Sequence, residues 1–267
     1  MVRQVRKIEF FYKWLEGKPV QATRNIAFAQ STINRYSRMM DTFLFPQTGS
    51  GASTNGSATQ RTYLAIRRMI VMGEVGPGEK LKIEGLRSRL SIGASPIREA
   101  LSLLTSEHLV ERIDQRGFRA APTSRKNFDE ILELRCELED MALRKSIAQP
   151  TEDWEELVVL AHHRMVRAKI VGGEVFEDQH KAFHMALLSN CGAPILLRFC
   201  SQLYDLNIRY RYLAGHALDY QKRNVDDEHR QIMDCAIARD ADGAAAELLN
   251  HYRRTGAFLA GLIVNTP

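Results

Sequence analysis

Four histidines carry the first chemical suggestion in this chain of 267 residues. His180 and His184 stand four apart within a helical apolar pattern, so on a helix their rings share a face about one turn apart. That spacing can offer two imidazole nitrogens to one divalent metal. His229 and His251 lie on later segments whose apolar stripes direct them towards a helical interior. The other reading is a set of core or surface histidines satisfied by hydrogen bonds; His108, His162, His163 and His216 show how freely histidine occurs here. No HExxH is present and no acidic general base stands in a recognisable motif beside the pair, which weighs against a metal-dependent hydrolase, the rival function from another class.

Two further segments concentrate charge. In Ser95-Pro96-Ile97-Arg98-Glu99, Ser95 reads as an N-cap, Pro96 as the first helical residue and Glu99 as a first-turn acid that suits the helix dipole. Arg98 then rides the opening turn of a helix, where it either reaches nucleic acid or pairs with an acid on its own helix face. Asn207-Ile208-Arg209-Tyr210-Arg211-Tyr212 alternates polar and aromatic groups. It offers pocket contacts, or, for at least half of it, a solvated helix face.

These residues need elements to position them. Thr62–Met72 is an amphipathic helix ended by Gly73, Leu86–Leu90 a short second helix, and a third follows Ser95. Residues 109–122 read as two short strands around Gln115-Arg116-Gly117, a basic-tipped hairpin. Three helices with a tight turn and then a hairpin describe a winged helix-turn-helix, whose third helix can enter a major groove. From Asn127 onward the pattern is helical, with breaks at Gln149-Pro150, Gly172-Gly173, Gly192-Ala193-Pro194, Gly215 and Asp240–Gly243. They leave about six helices for an antiparallel bundle. The fold class is therefore mainly α. The expected organisation is an N-terminal extension over 1–45, an uncharged Gly/Ser/Thr linker over 46–60, the winged helix over 61–124 and the bundle over 125–267.

Composition agrees. Hydrophobic residues are 45% and charged residues 26%, ordinary globular values that exclude a mostly disordered chain. Net charge is +5 over 1–60, +4 over 61–124 and −4 over 125–267, a basic front half joined to an acidic rear. No apolar run reaches the ~18 residues of a membrane span, and no signal-peptide core opens the chain, so the expected location is cytoplasmic. Cys136, Cys191, Cys200 and Cys235 form no CxxC pair and are expected to be reduced.

The string GPGEKL…SIGASPIREALSLLTSEHLVERIDQRGFRAAP resembles the DNA-binding domain of the GntR family of bacterial transcription regulators, with Pro96–Leu101 matching its P-V-R-E-A-L. The resemblance places Ser95, Pro96 and Arg98 on operator DNA and gives the wing Arg116 and the tip glycine Gly117. Ala94 and Glu84 stand where the family usually, or often, carries arginine. Residues 133–148, 183–196 and 228–254 resemble the all-helical FadR-like, or FCD, effector branch. That branch implies a metal held by an aspartate and three histidines. His184, His229 and His251 take the histidine positions and His180 replaces the aspartate. An all-imidazole set favours Zn²⁺ or Ni²⁺ over Mg²⁺ or Ca²⁺. Arg135 matches the family's cavity arginine, whose planar fork suits a small carboxylic-acid effector, and Arg209 is a second candidate contact. The implied protein is a homodimeric regulator, on balance a repressor, of a palindromic double-stranded operator. Within 1–45, Ser31–Tyr36 resembles the start of another recognition helix, with Arg35 and Arg38 exposed. A basic arm, or a true start at Met39 or Met40, would explain the same segment.

Overall fold

The computed structural model describes residues 57–114, 116–214 and 224–263. The extension, most of the linker, Gln115 and the Gly215 break lie outside the described residues. Among those described are nine helices and one two-stranded sheet: α1 (Ala58–Val71), α2 (Ile83–Leu90), α3 (Ala94–Ser106), β1 (Val110–Ile113), β2 (Gly117–Ala120), α4 (Arg125–Ala148), α5 (Glu152–Ala168), α6 (Gly173–Leu188), α7 (Pro194–Leu213), α8 (Val225–Ile237) and α9 (Ala241–Ala260). The expected class holds: three helices, an antiparallel hairpin, then six helices.

Three expected helix starts move, the simplest being α2, which begins at Ile83 rather than Leu86. α1 starts at Ala58 because the Ser57 hydroxyl accepts from the Gln60 amide, so residues 58–60, assigned above to the linker, are helical. α3 starts at Ala94 after Gly93, so Ser95 is not its N-cap nor Pro96 its first residue. The Ser95 hydroxyl turns to the Glu99 carboxylate at 3.2 Å instead. The proline is still tolerated, since the first-turn amides need no partner within the helix.

Internal contacts group the described residues into two compact units, one from 140–197 and 225–248, the other from the described residues of 57–139, 198–224 and 249–263. Helices α4, α7 and α9 run through both.

In the second unit, Ile66, Ile70, Ile97, Leu101 and Leu104 form a fully buried core under the wing. Their spacing on α1 and α3 is the helical period that the sequence displays. The wing pairs Val110 with Ala120 and Ile113 with Gly117. Gly117 has φ +92°, a backbone region that glycine enters without strain. Tyr204 and Ile208 of α7 join the same core. Where α9 passes α4, the Leu132 side-chain tip lies against Gly256 and would have to turn aside for a larger residue there.

In the first unit, α5 and α6 form an antiparallel pair: the Trp154 indole donates to the Ala186 carbonyl at 2.9 Å. α8 packs on α5, with ion pairs Lys169–Asp226 (2.7 Å) and Arg239–Glu155 (3.1 Å). All four cysteines are free, three of them buried. No helix of the described residues is long and apolar enough to cross a membrane.

Candidate functional site

The DNA-facing candidates sit on an exposed surface. Ser95, Arg98, Arg116 and Gly117 are exposed and Pro96 half-buried, while Ile97, Ala100 and Leu101 on the opposite face of α3 anchor the helix. Glu99, the acid beside Arg98, is engaged by Thr59 at 2.7 Å and by Ser95. Arg98 has no ion-pair partner among the described residues, which removes the helix-face pairing weighed above. Not all the nearby cations are available. Arg87 pairs with Glu84, the acid that departs from the family pattern, at 2.8 Å, and Arg89 pairs with Glu74. On the wing Arg119 is held by Glu111 at 2.7 Å, the cross-strand pair set by the hairpin register.

The helical candidates are buried. Arg135 is 4% exposed; its Nε donates to Glu139 at 2.6 Å and its Nη1 to the Asn207 side-chain oxygen at 2.9 Å. Its guanidinium lies 4.0 Å from the Tyr252 ring centre and 4.8 Å from that of Tyr204. The Tyr252 hydroxyl donates to the second Glu139 oxygen. Burial and that carboxylate push the Tyr252 hydroxyl well above the usual phenol range, so it stays a donor. Burial works against the Arg135 charge, but Glu139 outweighs it and holds the guanidinium above its usual range. One donor, Nη2, is buried with no hydrogen-bond partner.

His180, His184 and His229 converge through their Nε2 atoms: His180 Nε2 lies 3.2 Å from that of His184 and 3.2 Å from that of His229. With His251 of α9, the four buried rings offer ligand atoms all within 4.8 Å of one another. One imidazole nitrogen is either a donor or a single lone pair, so His180 Nε2 cannot bond well to both neighbours. Lone pairs around a cation resolve this, because tetrahedral ligands at ~2.0–2.1 Å from zinc stand about 3.3–3.4 Å apart. The residues present therefore fit a nitrogen-binding divalent metal. On the outer side of the His180 ring, Glu177 brings Oε1 to 3.5 Å from Nδ1. A carboxylate there favours the tautomer with its proton on Nδ1 and its lone pair on Nε2. His162 shows the innocent alternative in the same unit. It is buried, edge-on to Phe183 at 5.4 Å, and burial, with help from Arg230, pulls its pKa down to about 4.

The two arginines expected to share an effector diverge. Arg209 follows Asn207 by two positions on α7, and its Nη2 donates to the Ala121 carbonyl at 2.6 Å, in the joint before α4. Tyr210 donates to Asn127 at 2.7 Å and its hydroxyl oxygen lies 3.3 Å from the Ser124 carbonyl, and Asp205 forms a near-buried ion pair with Arg67 of α1. The winged helix is thus packed on and bonded to α7 as well as tethered by residues 121–127. Sequence reasoning did not find Glu177, Tyr252 or the Arg67–Asp205 pair, and it offered Asn207 for pocket contacts without linking it to Arg135. Glu177 alone left a local signal, three before His180 and seven before His184 on one helix face.

A winged helix with an exposed arginine-bearing third helix, followed by six helices with buried polar clusters, defines a DNA-binding regulator with a sensory helical domain. The chain matches the family model "Bacterial regulatory proteins, gntR family" over residues 58–119 and the FCD domain over 130–254. It is 35% identical over 202 residues to the HTH-type transcriptional regulator BphR of Paraburkholderia xenovorans (73% of this chain, 82% of that one). To the HTH-type transcriptional repressor GlaR of Escherichia coli it is 30% identical over 201 residues (72% and 91%). The structure of E. coli McbR/YncC has the same fold, with a TM-score of 0.68 at 20% identity over 78% of this chain and 99% of that one. The chain belongs to the GntR family and carries an FCD effector-binding domain. The family consists of transcription regulators, not enzymes, and the hydrolase reading is set aside.

Proposed function

We propose that this regulator is a cytoplasmic homodimeric repressor whose hold on a palindromic operator is weakened by a small carboxylic acid received at Arg135. Ser95, Pro96 and Arg98 would meet the major groove and Arg116 and Gly117 the adjacent backbone or minor groove. His180, His184, His229 and His251 would hold a divalent Zn²⁺ or Ni²⁺, which supplies positive charge towards an anionic oxygen. Two-fold symmetry fits because one winged helix alone buries too little surface for tight specific binding. The repressor named among the relatives supports the sign.

One observation carries the regulatory part: helix α7 touches both the candidate receptor and the DNA-reading core. Asn207 bonds Arg135, Tyr204 lies under the Arg135 guanidinium and in the core of the winged helix, and Asp205 between them pairs with Arg67. A carboxylate reaching the unpartnered Nη2 of Arg135 would compete with Asn207 and disturb Tyr204. The disturbance enters the reading head through α7, besides the 121–127 joint. Operator half-sites tolerate little change in angle, because each helix must fall into its own groove.

Selection of genomic fragments with purified protein, followed by release with a panel of carboxylic acids, tests this. Linkage requires that an acid lowering DNA affinity tenfold bind tenfold more weakly to the DNA complex, a coupling of about 1.4 kcal/mol. A variant lacking only Arg135 would strand Glu139 in the interior. The informative variant is the double Arg135→Met, Glu139→Gln, which should keep operator binding and lose release. Acids that release the double variant normally would place the receptor elsewhere.

A further inference from the structure

Three arginines on or beside α7 are wholly or largely withdrawn from water, Arg67 less so than Arg135 and Arg209, and two of them are closed by a carboxylate: Arg67 by Asp205 and Arg135 by Glu139. Arg209 is not. It is 3% exposed, and among the described residues no aspartate or glutamate pairs with it. It follows Asn207 by about 200° of helix rotation, so it leaves the Arg135 side and turns to the joint formed by Ala121–Ser124. There Nη2 donates to the neutral Ala121 carbonyl, and Nε is buried with no hydrogen-bond partner. An uncompensated buried cation costs several kcal/mol, and burial accordingly pulls Arg209 down to about 10.

Nε and Nη2 form one edge of the guanidinium, the edge on which a carboxylate binds with two parallel bonds. In this chain that edge holds a single neutral acceptor, which fills one of the two positions and supplies none of the charge. We propose that Arg209 is the receptor for a small monocarboxylate at the Ala121–Ser124 joint, separate from the acid received at Arg135. Such an anion would take both N–H groups, displace the Ala121 carbonyl and neutralise the guanidinium. A spherical halide satisfies the charge but spans the two donors poorly. The site lies on the stretch of chain that links wing to bundle, so its occupancy would be felt by the reading head directly. The assignment stands without the Arg135 reading, because it rests on different atoms.

The test is thermal unfolding of the full chain while acetate replaces chloride at constant ionic strength. At a hundredfold excess over its dissociation constant, acetate should favour the folded wild-type state about 100-fold relative to chloride. Arg209→Met should be at least as stable as wild type in chloride, since it removes a lone buried charge, and should lose the acetate gain. Arg209→Lys, which keeps charge but not the two-pronged edge, should also lose it. The double Arg135→Met, Glu139→Gln should retain it. Four results would overturn the proposal: no acetate gain in wild type; Arg209→Met less stable than wild type in chloride, the mark of a structural donor to Ala121; a gain that persists in both Arg209 variants; or a gain lost in the Arg135 double variant, which would assign acetate to Arg135. If Arg209→Met fails to fold, the Arg209→Lys and double-variant arms still decide.

Discussion

In the winged helix, the side chains proposed to meet DNA and the side chains that hold the fold are different residues. Ser95, Arg98 and Arg116 are exposed, whereas Ile97, Leu101 and Leu104 are fully buried on the other face of the same helix. In the helical domain the proposed ligand groups belong to the interior itself: Arg135, Glu139, His180, His184, His229 and His251 are buried. A surface site meets its ligand with groups that water already solvates. A buried site must solvate its polar groups with each other until a ligand arrives. The first kind can change specificity without touching stability, and the second cannot.

The largest effect should come from breaking the buried pair. Glu139→Ala leaves Arg135 a lone interior cation and removes the acceptor of Tyr252, so unfolding in urea should show a loss of about 3–5 kcal/mol. Replacing both partners by Met and Gln should cost far less. Equal losses in the two variants would mean that packing, not charge, governs this spot. Next, Arg98→Ala should weaken operator binding by about 1–3 kcal/mol while leaving unfolding within roughly 0.5 kcal/mol of wild type. A stability loss as large as the affinity loss would break the separation argued for the winged helix.

A smaller effect sharpens the contrast from within the histidine cluster. Glu177→Gln removes the charge facing His180 Nδ1 without emptying the site. Competition with a chromophoric chelator should show zinc held about tenfold more weakly, roughly 1.4 kcal/mol. Wild type that takes up neither Zn²⁺ nor Ni²⁺ would reject the metal reading itself, while unchanged affinity in the variant would reject only the part given to Glu177.

How much of this could be read from sequence follows the same division. The winged helix is built from local signals: apolar spacing on α1 and α3, the proline near a helix start, a glycine at the wing tip. These fixed its elements, with errors of a few residues where capping decides, at Ser57 and Gly93. The histidine spacing was equally local, and the structure brings all four together. Asn207 stood among the candidate pocket contacts, but that it and Tyr252 meet Arg135 was not legible, because they reach it only through packing, Asn207 from 72 positions away. Glu139 was visible one turn away, yet sequence cannot say that a helical pair is buried. The isolation of Arg209 is harder still, since a missing counter-ion leaves no mark in a sequence.

One of the contacts that join the two regions gives the smallest predicted effect. Arg67 of α1 and Asp205 of α7 are each only partly screened from water, with side chains 14% and 12% exposed. Burial opposes the Arg67 charge, and its partners, Asp205 foremost, more than offset this, so the guanidinium stays charged. Asp205 is two residues from Asn207, which bonds Arg135, and next to Tyr204, which packs in the reading head. If α7 transmits the effector's arrival, this pair makes α1 move with it. The double variant Arg67→Met, Asp205→Asn should leave operator affinity, measured alone, within about threefold of wild type, because removing both partners strands neither charge. Acid affinity, measured without DNA, should be equally preserved. Their mutual effect should shrink from tenfold towards none, a loss of at most about 1.4 kcal/mol of coupling. Undiminished coupling would mean that Tyr204 packing or the Arg209–Ala121 bond carries the signal without the ion pair. Loss of operator binding in the absence of acid would mean that the pair sets the resting angle of the reading head, and that surface and buried sites are less separable than their exposures suggest.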